Sequence, residues 1–188
     1  AHINVHEAGA IEATGHKVLA LPNHDGKLRA CDIRDYIADF YRDDTHHYMV
    51  RPAMVYISYP TELGTIYSRY ELEAISTVCR EADVPLYIDG ARLAYGLAAD
   101  GADLSLKDIA SLCDVFYIGG TKCGALFGEA VVTRRPELLP RFVSLIKLRG
   151  ATLAKGRLLG VQFSTLFTDD LYCSIGRHAV ALAMKLKS

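Results

Sequence analysis

The stretch Tyr87-Ile88-Asp89-Gly90-Ala91-Arg92 decides the fold. It continues an apolar run from Pro85 with the composition of a strand buried on both faces, then stops at a carboxylate, a glycine and an arginine. A second stretch, Tyr117-Ile118-Gly119-Gly120-Thr121-Lys122, has the same form: a strand-like run, then glycines, then a charge. In open α/β sheets ligands bind beyond the carboxyl ends of the strands. Asp89, Arg92 and Lys122 are therefore expected to converge on one crevice. Asp89 and Lys122 are 33 residues apart, which is room for one crossover between neighbouring strands.

Working outward, further strand-like runs occupy Lys17–Pro22 and Ala53–Tyr59, and the Pro85–Asp89 and Asp114–Gly119 runs are followed at once by Ala125–Thr133. Helical patterns lie between them. Over Cys31–Arg42 the residues Ile33, Tyr36, Ile37 and Phe40 share one stripe. Ser68 begins a helix through about Glu81, with Glu71 completing a capping box and Leu72, Ile75, Val78 and Cys79 on the buried side. Ser105 is a second cap, with Asp108 in a first turn that favours negative charge. Glu137–Leu148 and Leu171–Lys187 read as two later helices, the last with a basic final turn.

Alternating strands and helices specify an α/β fold: a central, mostly parallel sheet flanked by helices and joined by right-handed crossovers. Residues 1–150 are expected to form that α/β unit and residues 151–188 a helical continuation. The sequence opens without Met, a few residues before a helical pattern, and reads as the middle of a longer protein.

With 21 Lys+Arg against 22 Asp+Glu, the formal net charge of -1 gives no electrostatic case for nucleic-acid or membrane-surface binding. No apolar run reaches the roughly 20 residues that cross a bilayer. The five cysteines are irregularly spaced and include no C-x-x-C pair, which argues against a zinc site and a disulfide framework. Free thiols indicate a reducing compartment, and the cytoplasm is the expectation.

The strand-end residues suit pyridoxal 5′-phosphate. That cofactor needs a lysine amine for a Schiff base and an acidic group to keep its pyridine nitrogen protonated. Lys122 and Asp89 supply the two. Thr121 and nearby backbone N–H groups are donors for a phosphate, and Arg92 offers a planar fork for a substrate carboxylate. Each residue alone has a plainer reading: Asp89 as a helix cap, Arg92 as its surface partner, Lys122 as a solvated loop lysine. Their placement at successive strand ends favours the cofactor.

Four segments carry a resemblance: residues 1–10, opening Ala1-His2-Ile3-Asn4-Val5-His6-Glu7; Asp89-Gly90-Ala91-Arg92; Gly119-Gly120-Thr121-Lys122; and Leu153-Ala154-Lys155-Gly156-Arg157. Over nearly its whole length the chain resembles the threonine aldolases, of the β-eliminating-lyase and aspartate-aminotransferase-like superfamily of fold type I. The resemblance implies the large cofactor-binding domain of an aminotransferase-like fold, lacking an N-terminal glycine phosphate turn and a C-terminal small domain. It implies that His2 stacks on the cofactor ring and that Lys155 and Arg157 help bind its phosphate; an ordinary basic loop is the other reading of that pair.

Well-known members of the family carry a histidine near the substrate hydroxyl, and Glu62 stands at the corresponding place here, after Tyr59-Pro60-Thr61. Glu62 is expected to project from the same sheet edge as Asp89, with its carboxyl made less acidic by desolvation, and to take the hydroxyl proton. The implied reaction is retro-aldol cleavage of L-threonine or another β-hydroxy-α-amino acid to glycine and an aldehyde, by a homodimer or homotetramer. Another β-eliminating lyase or an aminotransferase remains an alternative, because the fold does not fix which Cα bond breaks. A non-catalytic scaffold of the same fold is the other.

Overall fold

In the computed structural model, which describes residues 1–187, one mixed sheet runs in the order β1-β2-β3-β4. The strands are β1 (Val55–Ser58), β2 (Leu86–Asp89), β3 (Val115–Gly119) and β4 (Glu129–Thr133). β1, β2 and β3 are parallel, with Tyr56 opposite Tyr87 and Ile88 opposite Phe116. β4 returns antiparallel along β3. Residues 120–128 join the two; a parallel return takes a crossover of a dozen or more residues, usually a helix, and this connection has neither.

Eight α-helices are described: α1 (His2–Val5), α2 (Ala30–Arg42), α3 (Arg69–Glu81), α4 (Leu93–Leu97), α5 (Leu106–Leu112), α6 (Phe142–Leu148), α7 (Arg157–Leu166) and α8 (Leu171–Lys187). α3 forms the crossover from β1 to β2, and α4 with α5 the one from β2 to β3. Both step across the sheet in the same direction, so these helices fall on one face. There Ile57, Ile88, Phe116 and Ile118 pack with Leu72 and Ile75 of α3, Leu93 of α4 and Ile109 of α5 to make the core. The strand alternation sends Tyr56, Ser58, Tyr87, Asp89 and Tyr117 to the opposite face, where all but Asp89 are half-buried.

The caps form where the sequence places them. The Ser68 hydroxyl accepts the Glu71 N–H while the Glu71 carboxylate accepts the Ser68 N–H, and Ser105 with Asp108 repeats this box on α5. Asp108 also pairs with Arg69 at 2.9 Å, tying α5 to α3.

Three expectations are corrected. Lys17–Pro22 is not a strand: no neighbouring strand exchanges hydrogen bonds with it, and a cleft of about 810 Å³ is lined by it on one side and by β1 on another. Apolar composition alone does not make a strand without a ladder partner. The helix expected over Glu137–Leu148 is a 3₁₀ turn at Pro136–Leu138 followed by α6. Pro140 disfavours helical geometry at Leu139 and donates no N–H, and Arg141 then takes a left-handed conformation at φ 57°. Of Ala125–Thr133, only Glu129–Thr133 is strand.

α8 closes over the end of β3. Gly176 allows this: a Cβ there would lie 2.3 Å from the Ala94 carbonyl oxygen of α4. From the same helix the buried Tyr172 hydroxyl donates to the Gly119 carbonyl at 3.0 Å.

Candidate active site

The carboxyl ends of β2 and β3 touch through glycines. The Gly119 N–H donates to the Gly90 carbonyl at 2.9 Å. A Cβ on Gly90 would lie 1.9 Å from the Tyr117 carbonyl oxygen, and one on Gly119 would lie 2.5 Å from the carbonyl oxygens of Gly90 and Ala91. Only bare backbone passes there, which brings the Asp89 turn against the turn that carries Lys122.

Asp89 is 8% exposed. Its Oδ1 accepts the Ala91 N–H at 2.9 Å and the Tyr117 hydroxyl, and its Oδ2 accepts the Tyr56 hydroxyl. Burial, and then the hydrogen bond to the Asp89 carboxylate, push both phenols far above the usual tyrosine range, so both stay protonated. Tyr87 stacks on Tyr56 with ring centroids 5.3 Å apart and planes 9° from parallel.

Lys122 follows β3 in the turn over residues 121–124. The turn is anchored while the amine is not. The Cys123 side chain is fully buried beneath it, and the Tyr95 hydroxyl of α4 donates to the Lys122 carbonyl. The Lys122 side chain is exposed, and among the described residues its Nζ has no hydrogen-bond or ion-pair partner. Thr121 donates from Oγ1 to Glu129 Oε1 at 3.1 Å, and the Gly120 N–H donates to the other oxygen of Glu129. The donors expected for a phosphate thus hold a carboxylate from β4.

At the adjoining end of β1, Ser58 sits opposite Asp89 in the ladder and donates to Glu62 Oε1 at 3.2 Å. The same oxygen accepts the His2 N–H at 2.7 Å. His2 and Glu62 therefore meet at the sheet edge that carries Asp89, and the His2 ring bonds through Nδ1 to Glu7 and lies 5.0 Å from the ring of His6. The acidity expected of Glu62 is reversed. Burial alone pushes its carboxyl up, but hydrogen bonds from the backbone N–H groups of Glu62 and His2, with Ser58, outweigh it and hold the group below the usual glutamate value.

Arg92 is the half-buried N-cap residue of α4; its carbonyl accepts the Tyr95 N–H at 2.9 Å, while its guanidinium has no hydrogen bond or ion pair among the described residues. Lys155 precedes α7 and Arg157 begins it. Both are exposed, and no hydrogen bond or ion pair joins them to the strand-end residues. α7 itself is fastened next to the lysine turn: Gln162 accepts the Leu126 N–H at 2.6 Å and donates to the Phe127 carbonyl at 3.1 Å.

Sequence reasoning missed Tyr56, Ser58, Tyr117 and Glu129. A signal for three of them exists. Tyr56-Ile57-Ser58, Tyr87-Ile88-Asp89 and Tyr117-Ile118-Gly119 repeat one Tyr-Ile pattern, and the period of two puts each tyrosine on the face of the residue two positions on.

The chain resembles known proteins along nearly its whole length. It is 35% identical over 184 residues to a low specificity L-threonine aldolase of Pseudomonas aeruginosa, a match covering 95% of this chain and 51% of that protein. The structure of a threonine aldolase from Leishmania major superposes with a TM-score of 0.93 at 50% identity, over 99% of this chain and 53% of the other. A PLP-bound C-S lyase from Staphylococcus hominis superposes with a TM-score of 0.56 at 15% identity, a likeness of fold alone, over 89% of this chain and 41% of the other. The chain spans about half the length of the relatives it matches. A single family model, described as beta-eliminating lyase, runs across residues 1–185. With that match reaching from the first residues to the last helix, the chain belongs to the beta-eliminating lyase family.

Proposed function

We propose that the protein containing this chain is a pyridoxal-phosphate-dependent aldehyde-lyase that cleaves L-threonine and related β-hydroxy-α-amino acids to glycine and an aldehyde. One observation carries the reading: a buried carboxylate, Asp89, and an unpartnered lysine amine, Lys122, stand at the ends of adjacent parallel strands pressed together through Gly90 and Gly119. The donor set fits the cofactor. Asp89 retains an acceptor position for a ring N–H, and the Lys122 amine, without a partner of its own, would be available to hold the cofactor while its backbone is fixed in place. When bound, pyridoxal phosphate supplies an electron sink for the charge left on Cα.

The chain's own residues have these proposed roles. Lys122 would hold the cofactor through its side-chain amine. Asp89 holds the ring-nitrogen proton. His2 covers the ring face, offering a flat contact. Arg92, free of other partners, binds the substrate carboxylate as a fork. Glu62, ionised at neutral pH, accepts the β-hydroxyl proton. Lys155 and Arg157 contribute positive charge for the phosphate, and Thr121 contributes a hydroxyl if the phosphate replaces Glu129 as its acceptor.

The similar proteins named threonine aldolases support the choice of cleavage over elimination. Exposed apolar side chains on α6, α7 and α8, among them Val143, Leu148, Val161 and Leu186, support assembly as a homodimer or homotetramer. Five cysteines without a disulfide among them support a reducing compartment, the cytoplasm. Among the described residues no helix is long and apolar enough to cross a membrane.

Product analysis of the full-length protein with cofactor and L-threonine tests the assignment. Glycine and acetaldehyde in equal amounts are expected, and Lys122→Ala abolishes both. A 2-oxo acid with ammonia would make it an eliminating enzyme instead. Borohydride reduction followed by peptide mapping should find the cofactor on Lys122; finding it on Lys147 or Lys155 would overturn the site.

A further inference from the structure

The Asp89 carboxylate is held by more than a helix cap requires. Three donors from three segments reach it: Tyr56 from β1, Ala91 from the turn after β2, and Tyr117 from β3. An ionised carboxylate offers about four acceptor positions. Two donors use Oδ1 and one uses Oδ2, so the remaining position is on Oδ2. Neither hydroxyl has another partner among the described residues. Removing either oxygen therefore frees Asp89 without orphaning a second buried group.

Resting on the cofactor reading above, we infer that Tyr56 and Tyr117 are positioning residues for this site: a pair of hydroxyls from flanking strands that fixes the Asp89 carboxylate and leaves the open position of Oδ2 to the protonated ring nitrogen of pyridoxal phosphate. A carboxylate oriented before the ring arrives does not have to be ordered on binding, and its charge stays where the ring nitrogen needs it. The tyrosines touch Asp89 and act through it. The rest of this face supplies no substitute. Tyr87 on β2 makes no hydrogen bond to Asp89, and Glu129 on β4 is engaged by Gly120 and Thr121.

The test uses the full-length protein and three variants that each remove one hydroxyl: Tyr56→Phe, Tyr117→Phe and Tyr87→Phe. Cofactor affinity is measured by titrating pyridoxal 5′-phosphate into the cofactor-free protein. The pH titration of the bound cofactor's visible band reports on protonation of the cofactor rather than on folding. Loss of a hydrogen bond to a charged group should weaken cofactor binding about tenfold in Tyr56→Phe and in Tyr117→Phe, and displace the midpoint of the visible band. kcat should fall while the substrate KM holds. Tyr87→Phe should match the parent in each respect. A parent protein that takes up no cofactor would overturn the cofactor reading together with the clamp. A normal parent with Tyr56→Phe and Tyr117→Phe indistinguishable from it overturns the clamp alone. So does an equal loss in Tyr87→Phe, because the effect then follows the polarity of the face and not contact with Asp89. A structure of the loaded protein gives an independent check, since the ring nitrogen should approach Oδ2 and a contact to Oδ1 contradicts the assignment.

Discussion

Gly90 has no room for a methyl group. A Cβ at that position would lie 1.9 Å from the Tyr117 carbonyl oxygen and 3.3 Å from the Leu93 Cβ, and neither neighbour is the end of a flexible chain. Gly90→Ala must push β2 from β3 at the point where the Asp89 and Lys122 turns meet. Overpacking of this kind costs about 1–3 kcal/mol, and a backbone obstacle places Gly90→Ala at about 3 kcal/mol or above. Urea unfolding should show the midpoint fall accordingly, and a midpoint within error of the parent would mean that the strands separate freely there. Glu62 gives a second prediction at this scale. As the proposed acceptor of the β-hydroxyl proton it must be ionised, so activity is expected above its pKa and is lost as pH falls through it. Its backbone and Ser58 hydrogen bonds put that limb below the ordinary glutamate range. Glu62→Gln should lower kcat by about 10²-fold without loss of cofactor. A variant with the parent's rate and pH profile would remove Glu62 from the reaction.

At the scale of the element, α3 is held at its start by reciprocal bonds. Ser68 and Glu71 satisfy each other's backbone N–H groups, and Glu71 also takes the Lys27 ammonium at 2.6 Å. Ser68→Ala should cost about 1 kcal/mol, read as a lower denaturation midpoint. Burial pushes the Glu71 carboxyl up, but the hydrogen bonds from Lys27 and Ser68 outweigh it, and the net shift is downward. The folded-state pKa is thus below the unfolded one. This stabilisation is complete above the unfolded value of about 4.3 and disappears as pH falls through the folded value. Glu71→Gln should flatten that part of the stability profile, and a profile of unchanged shape would show that the pair contributes nothing. The Ser68–Glu71 box and the Ser105 cap were legible because a cap and its partner are three residues apart, whereas Asp108 read only as a first-turn charge and its reciprocal bond to Ser105 is a finding of the structure. Lys17–Pro22 was misread because a strand is defined by a neighbour that its own residues do not name. The break at Pro140 was written in the sequence but overridden by the apolar spacing around it.

Across the whole molecule, the residues proposed to hold the cofactor come from segments far apart in the chain, which only the sheet brings together. Asp89, Arg92 and Lys122 were legible because the strand ends announce them. Tyr56 and Tyr117 were not, since their significance depends on parallel register, which sets Tyr56 opposite Tyr87 and brings both hydroxyls to one carboxylate. Glu129 was hidden in the same way, by an antiparallel return that brings it to Gly120 and Thr121. A ligand held by β2 and β3 together must stabilise the fold that aligns them, because the unfolded chain has no such site. Saturation at 100 times the dissociation constant adds about 2.7 kcal/mol to unfolding. For chains of roughly this length each 1 kcal/mol moves the melting temperature by about 2–4 °C, so pyridoxal 5′-phosphate should raise it by about 5–10 °C. Lys122→Ala should lose most of this gain, having lost the covalent anchor, although its cofactor-free melting temperature should match the parent's because Lys122 is exposed and its Nζ has no partner. Calorimetry of both proteins with and without cofactor makes the comparison. An unshifted parent would mean that the strand ends hold no cofactor. A Lys122→Ala variant that gains as much as the parent would place the anchoring amine elsewhere in the chain.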